Sequence, residues 1–527
     1  MRLLRRLDLA SELVLILLVV GTPLAFGSVQ VWATDLMKTG ILLFVLLRLA
    51  RNLLAPGAGS EPVGIKGTGL EVPAAIFVGL VLLQVMPLPS SVIRLVSPKA
   101  DALYRQTLPG YPATEDLRRV EEQLVRDTSA TPLAVAGAGI GVPRPRAMRT
   151  LSIYPEGTWD KLSLLLTYLV LFFAAIEYAR EPVRRIRLLM AVTITGLGIA
   201  AFALLQQMTW NGKIYWLLKV SPHVRAFGPF VDRDHFTGYM ELVLPVTVGL
   251  LLLVWRQRAA PSRTVPLDRP PEAGLIVFPR TESRHSDYLA GWGEAALPKT
   301  AVTLCAMLVA VLAIIASGSR GGLIATALTF TLFAGALAPE RGRRRVALAG
   351  GMAAALLVSV VVLAPFGVGP LNAAFTRLLD IGTEASFAGR WMTWGRVMEL
   401  IADHPLIGTG LGTFREAYSS YYPPGVDVVW VQAHNDYLQL VAETGIAGGL
   451  LLIGGLIVYG RRVFLPALGP APERELRLGI AMALTSIGLH SFVDFNLQIP
   501  SNGMLTVLLG GVLAATVLPG GGPTKGA

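Results

Sequence analysis

Twelve apolar stretches constrain the fold of this chain more than any other feature of its sequence. A helix needs about 20 mostly apolar residues to cross a lipid bilayer, and within hydrocarbon every backbone polar group must find a partner inside the protein. We therefore predict an all-α integral membrane protein with about twelve transmembrane helices, forming a single polytopic domain over residues 1–527. The stretches lie at residues 10–27, 31–50, 70–89, 160–179, 188–208, 235–255, 300–317, 321–338, 346–367, 436–459, 478–493 and 501–519.

The composition of the chain excludes the usual classes of soluble protein. Apolar residues make up 53% of the chain and charged residues 15%, whereas soluble domains contain about 25% charged residues. With one cysteine, Cys305, the chain cannot be a disulfide scaffold. A formal net charge of +11 would indicate nucleic-acid binding in a soluble protein, so the positions of the basic residues decide what this charge means.

The basic residues are grouped in short segments between the apolar stretches. If all twelve stretches span the membrane, every cluster falls on one side, which the positive-inside rule identifies as cytoplasmic. Both termini are then cytoplasmic, and the basic excess faces anionic lipid rather than nucleic acid. The first stretch lacks an A-x-A-like cleavage site and is predicted to remain as an anchor. The clusters are residues 1–6, Arg48 with Arg51, residues 180–187, 256–258 and 341–345, and Arg461 with Arg462.

The same topology divides the longer connections into cytoplasmic and outward segments. Residues 256–299 are cytoplasmic, and their Pro, Arg, Ser and Glu content predicts a flexible linker or insertion. Residues 90–159, 209–234 and 368–435 are outward. The first and the last of these are predicted to be large periplasmic loops, which would carry any chemistry on that side of the membrane.

An amphipathic helix is predicted within the outward segment 368–435. Trp391, Trp394, Met398 and Ile401 have the spacing of one helical face, and Pro405 ends the pattern. Tryptophan is common where one side of a ring is apolar and the other is wet. This face therefore lies along the membrane surface or packs on the rest of the loop.

Four residues on the outward side are candidates for an anion-binding site. His434 comes shortly before the apolar part of stretch 436–459, and Arg225, Arg320 and Arg390 lie in or beside outward segments. Each alone is compatible with a side chain that extends to the membrane interface. Together they indicate anion binding, because guanidinium groups bind phosphate oxygens in a two-pronged geometry.

Ionisable residues in or beside the apolar stretches are further candidates, because such groups are costly in lipid unless they are paired or functional. Pairing or helix capping is the alternative role for each of them, and Asp436 in particular suits a helix cap. Gly445 and Gly449 have the four-residue spacing of a helix-packing face. The supporting candidates are Asp436, His235, Glu443 and Asp494, with Asp234, Glu241 and His490.

Motifs for metal or nucleotide binding are absent from the sequence. It contains no H-E-x-x-H, no clustered cysteines and no Walker A motif. The sequence therefore predicts neither a metal nor a cofactor. The energy for any reaction must then arrive with the substrate.

Several strings resemble the O-antigen ligase and polymerase superfamily, in order and in spacing, over about residues 70–515. The chain departs from the family at Asp232 and Asp234, where members often carry Asn. The strings are LQVMPLPSSVIRLVSP (83–98), RAFGPFVDRDHFTGYMELVLP (225–245), SGSRGG (317–322), GRWMTWGRVMELIADHPLIGTGLGTF (389–414), HNDYLQLVAETGIAGG (434–449) and HSFVDFNLQIPSNG (490–503).

This resemblance implies a glycosyltransferase of the bacterial inner membrane with a GT-C-like architecture. Such enzymes transfer a glycan from undecaprenyl diphosphate to an acceptor hydroxyl at the periplasmic face. His434 matches the essential histidine of the family, and Arg225 and Arg320 match its diphosphate-contacting arginines. A neutral imidazole accepts a proton near pH 7, and arginines stabilise charge on a leaving diphosphate without a metal.

The sequence leaves alternatives open for the acceptor of the glycan and for the class of protein. A ligase uses the lipid A core, a polymerase uses a second lipid-linked repeat unit, and a third branch glycosylates proteins; the order of the strings favours a ligase. Outside the enzymes, a twelve-helix transporter fits the composition. A transporter is expected to contain internal repeats and broken helices near the bilayer midplane, and no six-plus-six repeat is visible in the sequence.

Overall fold

The computed structural model describes residues 2–54, 67–108, 111, 148–220, 226–259, 296–337, 385–422, 429–470 and 473–518. These residues are mostly helical. Their α-helices are α1 (Arg2–Leu24), α2 (Val31–Leu54), α3 (Glu71–Val85), α4 (Ser90–Val96), α5 (Pro98–Thr107), α6 (Pro155–Ala179), α7 (Pro182–Met208), α8 (Arg233–Ala259), α9 (Ala296–Ser317), α10 (Arg320–Leu337), α11 (Ala385–Asp403), α12 (Phe414–Tyr418), α13 (Asp436–Tyr459), α14 (Leu465–Leu468), α15 (Arg474–His490) and α16 (Pro500–Val517).

Short elements complete the described secondary structure. Strand β1 (Leu88–Pro89) pairs antiparallel with β2 (Met148–Arg149), with Leu88 opposite Arg149. Strand β3 (Lys213–Ile214) pairs antiparallel with β4 (Leu218–Lys219), with Lys213 opposite Lys219. Single turns of 3₁₀-helix lie at Phe26–Ser28, Ser419–Tyr421 and Asn496–Gln498, and a π-helical turn lies at Gly460–Phe464.

The helices coincide with the predicted apolar stretches wherever the structure describes them. Eleven of the twelve stretches fall on a helix, and the ninth, 346–367, lies outside the described residues. Within the described part of the chain, six helices are long and apolar enough to cross a membrane. An all-α membrane protein is therefore supported, and the count of twelve spans stays a prediction. The six are Arg2–Leu24, Pro155–Ala179, Pro182–Met208, Arg233–Trp255, Asp436–Leu468 and Pro500–Val517.

The chain divides into two compact units. The first unit comprises Met1–Gly69, Thr167–Glu384 and Val458–Ala527, and the second comprises Leu70–Leu166 and Ala385–Ile457. The predicted single domain and the predicted loops at 90–159, 256–299 and 368–435 stay predictions, because part of each of these segments lies outside the described residues.

In the first unit, helix α8 is the most buried of the six candidate spans. It packs against α15 through two facing glycines: a Cβ on Gly249 would lie 3.1 Å from the Cα of Gly479. Small residues at a helix crossing let two backbones approach closely in a membrane, where lipid supplies no hydrophobic driving force. The two helices can therefore bring their polar residues into direct contact.

Part of the basic excess of the first unit is neutralised within the protein. Arg48 is only 3% exposed, and its guanidinium lies 2.8 Å from an oxygen of Asp8 and 2.5 Å from an oxygen of Glu177. Arg184 approaches the same Asp8 carboxylate to within 2.9 Å. These arginines join α1, α2, α6 and α7 to one another, in addition to any part that they play in setting orientation.

The second unit contains the predicted amphipathic helix, α11. The predicted face is divided: Ile401 is buried, while Trp391 is 67% exposed and Met398 is 54% exposed, and Val397 and Leu400, which are not part of that face, are fully buried. The face formed by the buried residues packs against other segments of the second unit. Its partners include Phe414, Tyr418, Ala433 and Ala442. Contact of the exposed face with a membrane stays a prediction.

Candidate functional site

Three of the family-like strings converge in the first unit around the start of α8. Asp232 caps this helix, because its Oδ1 accepts the N–H of Asp234 at 2.7 Å. Ser319 caps α10 in the same way, accepting the N–H of Gly322 at 3.3 Å. The two caps place Arg233 and Arg320 at the first position of their helices.

A buried imidazole–carboxylate pair lies beside the turn that carries Arg320. The Nδ1 atom of His490 lies 3.1 Å from Oε1 of Glu241, and the two side chains are 1% and 0% exposed. A Cβ on Gly321 would lie 2.9 Å from the His490 ring, and a Cβ on Gly322 would lie 2.2 Å from Thr237. Only glycine lets the first turn of α10 come this close to His490 and Thr237, which explains the two glycines that follow Arg320.

A second polar group in the first unit links α8 to the segment after α15. His235 Nε2 lies 3.8 Å from Oδ2 of Asp494, and the amide of Asn496 donates to the same carboxylate oxygen at 3.4 Å. Asn502 donates to the backbone carbonyl of His235 at 3.0 Å. These residues and the His490–Glu241 pair are called the bundle cluster below.

The bundle cluster contains four residues that the sequence marked as separate candidates: His235, Asp494, Glu241 and His490. Pairing was the alternative reading for each, and the structure shows two pairs. Just outside α8, burial and the neighbouring Asp234 carboxylate raise the pKa of Asp232. The surroundings of Asp232 therefore disfavour negative charge, and an anionic ligand beside this carboxyl would need arginines to offset the charge of the ligand.

In the second unit, helix α13 is broken at Gly445, whose φ of 67° and ψ of −172° are not helical. The Gly445–Gly449 spacing was interpreted as a packing face, and for Gly445 this was wrong. Residues 405–410 instead fill the break and satisfy the backbone groups that it frees, as a membrane requires. The bonds run from Ile446 N–H to Pro405 O (2.8 Å), Ala447 N–H to Leu406 O (3.3 Å), Thr409 N–H to Ala442 O (3.1 Å) and Gly410 N–H to Glu443 O (2.9 Å).

Two buried side chains reinforce this junction between the loop and α13. Gln84 donates to the carbonyls of Ile407 (2.7 Å) and Glu443 (2.8 Å), and its Oε1 accepts the N–H of Leu411 at 3.0 Å. The Glu443 carboxylate accepts the N–H of Gly412 at 2.7 Å and also interacts electrostatically with Lys161. Sequence reasoning missed Gln84, although an amide inside an apolar stretch signals an internal partner.

His434 occupies a strained turn directly before α13. Its φ is +50°, a left-handed conformation that is uncommon for residues other than glycine. Asn435 caps the helix, accepting the N–H groups of Tyr437 (3.1 Å) and Leu438 (3.0 Å). Asp436 was expected as a cap; it is instead the first helical residue, where the helix dipole favours its negative charge.

An aromatic side chain, Trp430, contacts the half-buried His434 ring in the second unit. The ring of Trp430 meets it edge to face, with centroids 5.3 Å apart. Gly389 packs against that tryptophan, since a Cβ on it would lie 3.3 Å from Trp430. Arg390, the next residue, is half-buried at the start of α11. The backbone next to Arg390 therefore lies close to Trp430, the side chain that contacts the His434 ring.

The predicted site residues are divided between the two units. His434, Arg390, Asp436 and Glu443 belong to the second unit. Arg320, His235 and Asp494 belong to the first. Arg225 lies outside the described residues. Nowhere in the part of the chain that the structure describes do three His, Cys, Asp or Glu side chains form a group able to hold a metal ion.

Part of the chain is similar to a known protein family. Residues 305–453 match a family model described as O-antigen ligase. The matched region runs from α9 into α13, so it includes both the Arg320 turn and the His434 turn. No curated protein matches the chain.

Proposed function

We propose that this chain is a membrane glycosyltransferase of the O-antigen ligase superfamily, which the match over residues 305–453 supports. Its donor is a glycan on undecaprenyl diphosphate, and its acceptor is a sugar hydroxyl, with the lipid A core as the favoured acceptor. We place the reaction at the periplasmic face of the bacterial inner membrane. Membrane lipid is the other partner, and the proposal includes no metal, no cofactor and no nucleic acid.

In this proposal His434 is the general base. It takes the proton of the acceptor hydroxyl, whose oxygen forms the new bond to the anomeric carbon. The bond from that carbon to the diphosphate oxygen breaks, and undecaprenyl diphosphate leaves with the electron pair. The main support for this role is the left-handed backbone conformation of His434. Strained conformations of non-glycine residues persist only where the surrounding structure holds them, and they cluster at functional sites.

Arginines stabilise the leaving diphosphate in this scheme. Arg320 opens α10, where the partial positive charge of the helix terminus also favours an anion. Arg225 and Arg390 are assigned to the same substrate, in agreement with the family strings that contain them. Glu443 and Asp436 support the His434 turn, and His235 with Asp494 supports the Arg320 side.

A direct test uses His434→Ala and Arg320→Lys in proteoliposomes that carry a defined lipid-linked glycan. Both variants should lose most of the glycan transfer, since the first removes the base and the second removes two-pronged phosphate binding. Normal transfer by His434→Ala at equal protein level would contradict the catalytic assignment. Retained anomeric configuration in the product would contradict a single displacement, which inverts the reacting carbon.

The acceptor is identified by varying what the proteoliposomes contain. Transfer that requires lipid A core indicates a ligase, and chain growth on lipid-linked repeats alone indicates a polymerase. A glycan attached to added protein indicates the protein-glycosylating branch. Movement of the glycan across the membrane with no new glycosidic bond would favour the transporter alternative.

A further inference from the structure

Side chains bind both backbone polar groups of Ala433, the residue that precedes His434. The N–H of Ala433 donates to Oε1 of Gln439 at 3.1 Å, and its carbonyl accepts the indole N–H of Trp394 at 3.0 Å. Ala433 is fully buried. Neither of the two peptide groups that flank the Ala433 Cα can rotate without breaking a hydrogen bond to a side chain, so the direction in which the chain enters His434 is determined.

The side-chain amide of Gln439 uses its oxygen and its NH₂ group in hydrogen bonds, so its neighbours determine its orientation. It is 1% exposed, and its Nε2 donates to Oε1 of Glu443 at 3.1 Å and to Oε1 of Gln432. Because the NH₂ end of an amide donates and its carbonyl end accepts, these two acceptors place the NH₂ end toward Glu443 and Gln432. The carbonyl end is thereby aimed at the N–H of Ala433.

The other side of the Glu443 carboxylate anchors this chain of hydrogen bonds to the loop. Its Oε2 accepts the N–H of Gly412 at 2.7 Å. A continuous series of hydrogen bonds therefore runs from the Gly412 loop through Glu443 and Gln439 to the backbone N–H of Ala433, the residue before His434. The Asn435 cap holds the other side of the same turn.

We propose that Gln439 is a positioning residue for His434, holding the turn in its left-handed conformation so that the imidazole keeps one orientation. This inference rests on the proposed role of His434 as the base. A misplacement of about 1 Å in a reacting group lowers a rate by about 100-fold. Loss of the Gln439 bond should therefore lower kcat and leave the KM for the lipid-linked donor within about 2-fold.

The central variant is Gln439→Met, which keeps the length of the side chain and removes its hydrogen bonds. We expect kcat to fall by about 10- to 100-fold, with an unchanged midpoint in the dependence of kcat on pH, because the base itself is intact. Tyr459→Phe is the matched control. It removes one hydrogen bond to a backbone carbonyl in the first unit, Tyr459 Oη to Gly510 O at 2.8 Å, and should leave kcat unchanged.

Exchanging the side chains of Gln439 and Glu443 distinguishes a positioning role of Gln439 from a general loss of packing at that site. Gln439→Glu alone places two carboxylates together and removes the donor to Glu443, so activity should fall. Adding Glu443→Gln restores a donor between the two positions, leaves an oxygen for the N–H of Ala433 and another for the N–H of Gly412, and should recover most of kcat. Failure of the double variant to recover, in a folded protein with normal thermal midpoint, would overturn the proposal.

The His434→Ala background distinguishes this proposal from the proposed function. If Gln439 acts through the imidazole, Gln439→Met should cause no further loss of the residual rate in that background. The same 10- to 100-fold loss with and without the imidazole would overturn the positioning role and leave the base assignment standing. Full activity of His434→Ala alone would instead overturn the assignment of His434 as the base, and with it the positioning role that rests on it.

Discussion

The two units of the chain accommodate buried polar groups in different ways. In the first unit, side chains from separate helices pair with each other, as His490 does with Glu241. In the second unit, backbone groups freed by the break in helix α13 pair with a loop that occupies the break. The first arrangement depends on two side chains being present together, whereas the second depends on one backbone conformation.

This contrast determines which substitutions each unit tolerates. A buried pair is costly to break from one side, because the remaining partner stays buried without compensation, yet replacing both partners with apolar residues is often neutral. A broken helix has no such paired solution. The backbone conformation of Gly445 belongs to a region that is essentially restricted to glycine.

The largest effect is expected from His490→Leu in the first unit. Breaking the buried pair should lower the free energy of unfolding by about 3–5 kcal/mol, and adding Glu241→Leu should restore most of it. Arg396→Ala is the control, because its pair with Glu399 is 41% and 55% exposed and should contribute less than about 0.5 kcal/mol. Equilibrium unfolding in detergent measures all three. A double variant as unstable as His490→Leu would contradict the pairwise account.

A somewhat smaller effect is expected from Gly445→Ala in the second unit. A Cβ at this position would lie 2.3 Å from the carbonyl carbon of Leu406, and strain and overpacking together should cost about 3 kcal/mol. Gly454 lies in the same helix, and a Cβ there meets nothing within 4 Å. Gly454→Ala should therefore stabilise the protein by about 0.5–1 kcal/mol. Equal thermal midpoints for the two variants would show that the break does not require glycine.

The smallest effect is expected from the pH dependence of His404, at the end of α11. Burial lowers the pKa of this imidazole, and its Nδ1 lies 3.1 Å from the hydroxyl of Ser97. As the pH falls, the unfolded chain takes up a proton first, at about pH 6.5. The stabilisation is therefore complete above that pH and decreases from there down to the folded-state pKa.

The measurement for His404 is the thermal midpoint between pH 7 and pH 5, compared with that of His404→Gln. The wild-type midpoint should decrease more over this interval than that of the variant. Asp403 does not interfere: burial would raise the pKa of its carboxyl, but Tyr421 and Lys99 lower it below the usual range. Its contribution is lost only in more acidic solution. Parallel curves for the two proteins would contradict the burial of a neutral imidazole.

Structural features were predictable from the sequence where a single physical requirement fixes a local pattern of residues. The apolar stretches predicted the helices wherever the structure describes them, because bilayer thickness imposes a length that a sequence displays directly. Helix starts were predicted less well: Asn435 rather than Asp436 caps α13. Both side chains can accept backbone N–H groups, so the residue that serves as the cap depends on where the preceding turn ends.

Pairings between distant residues were not predictable from the sequence. Glu241, His490, His235 and Asp494 were recognisable as costly groups in lipid, but their partners depend on how helices pack. Gln84 and Gln439 received no role at all, because an amide inside an apolar stretch does not indicate which backbone group it contacts. The residues of α11 that face the protein were not predictable for a similar reason, since the apolar periodicity of this helix fits more than one rotation.

The sequence by itself determined that this chain is a helical membrane protein with O-antigen ligase motifs, because hydropathy and short motifs are local properties of the chain. Only the tertiary structure decided that Gly445 breaks a helix, that Gly321 and Gly322 admit a turn against the His490–Glu241 pair, and that Gln439 contacts the peptide before His434. The physical reason is that buried polar groups must be satisfied, and the partner that satisfies each one is chosen by the approach of distant segments.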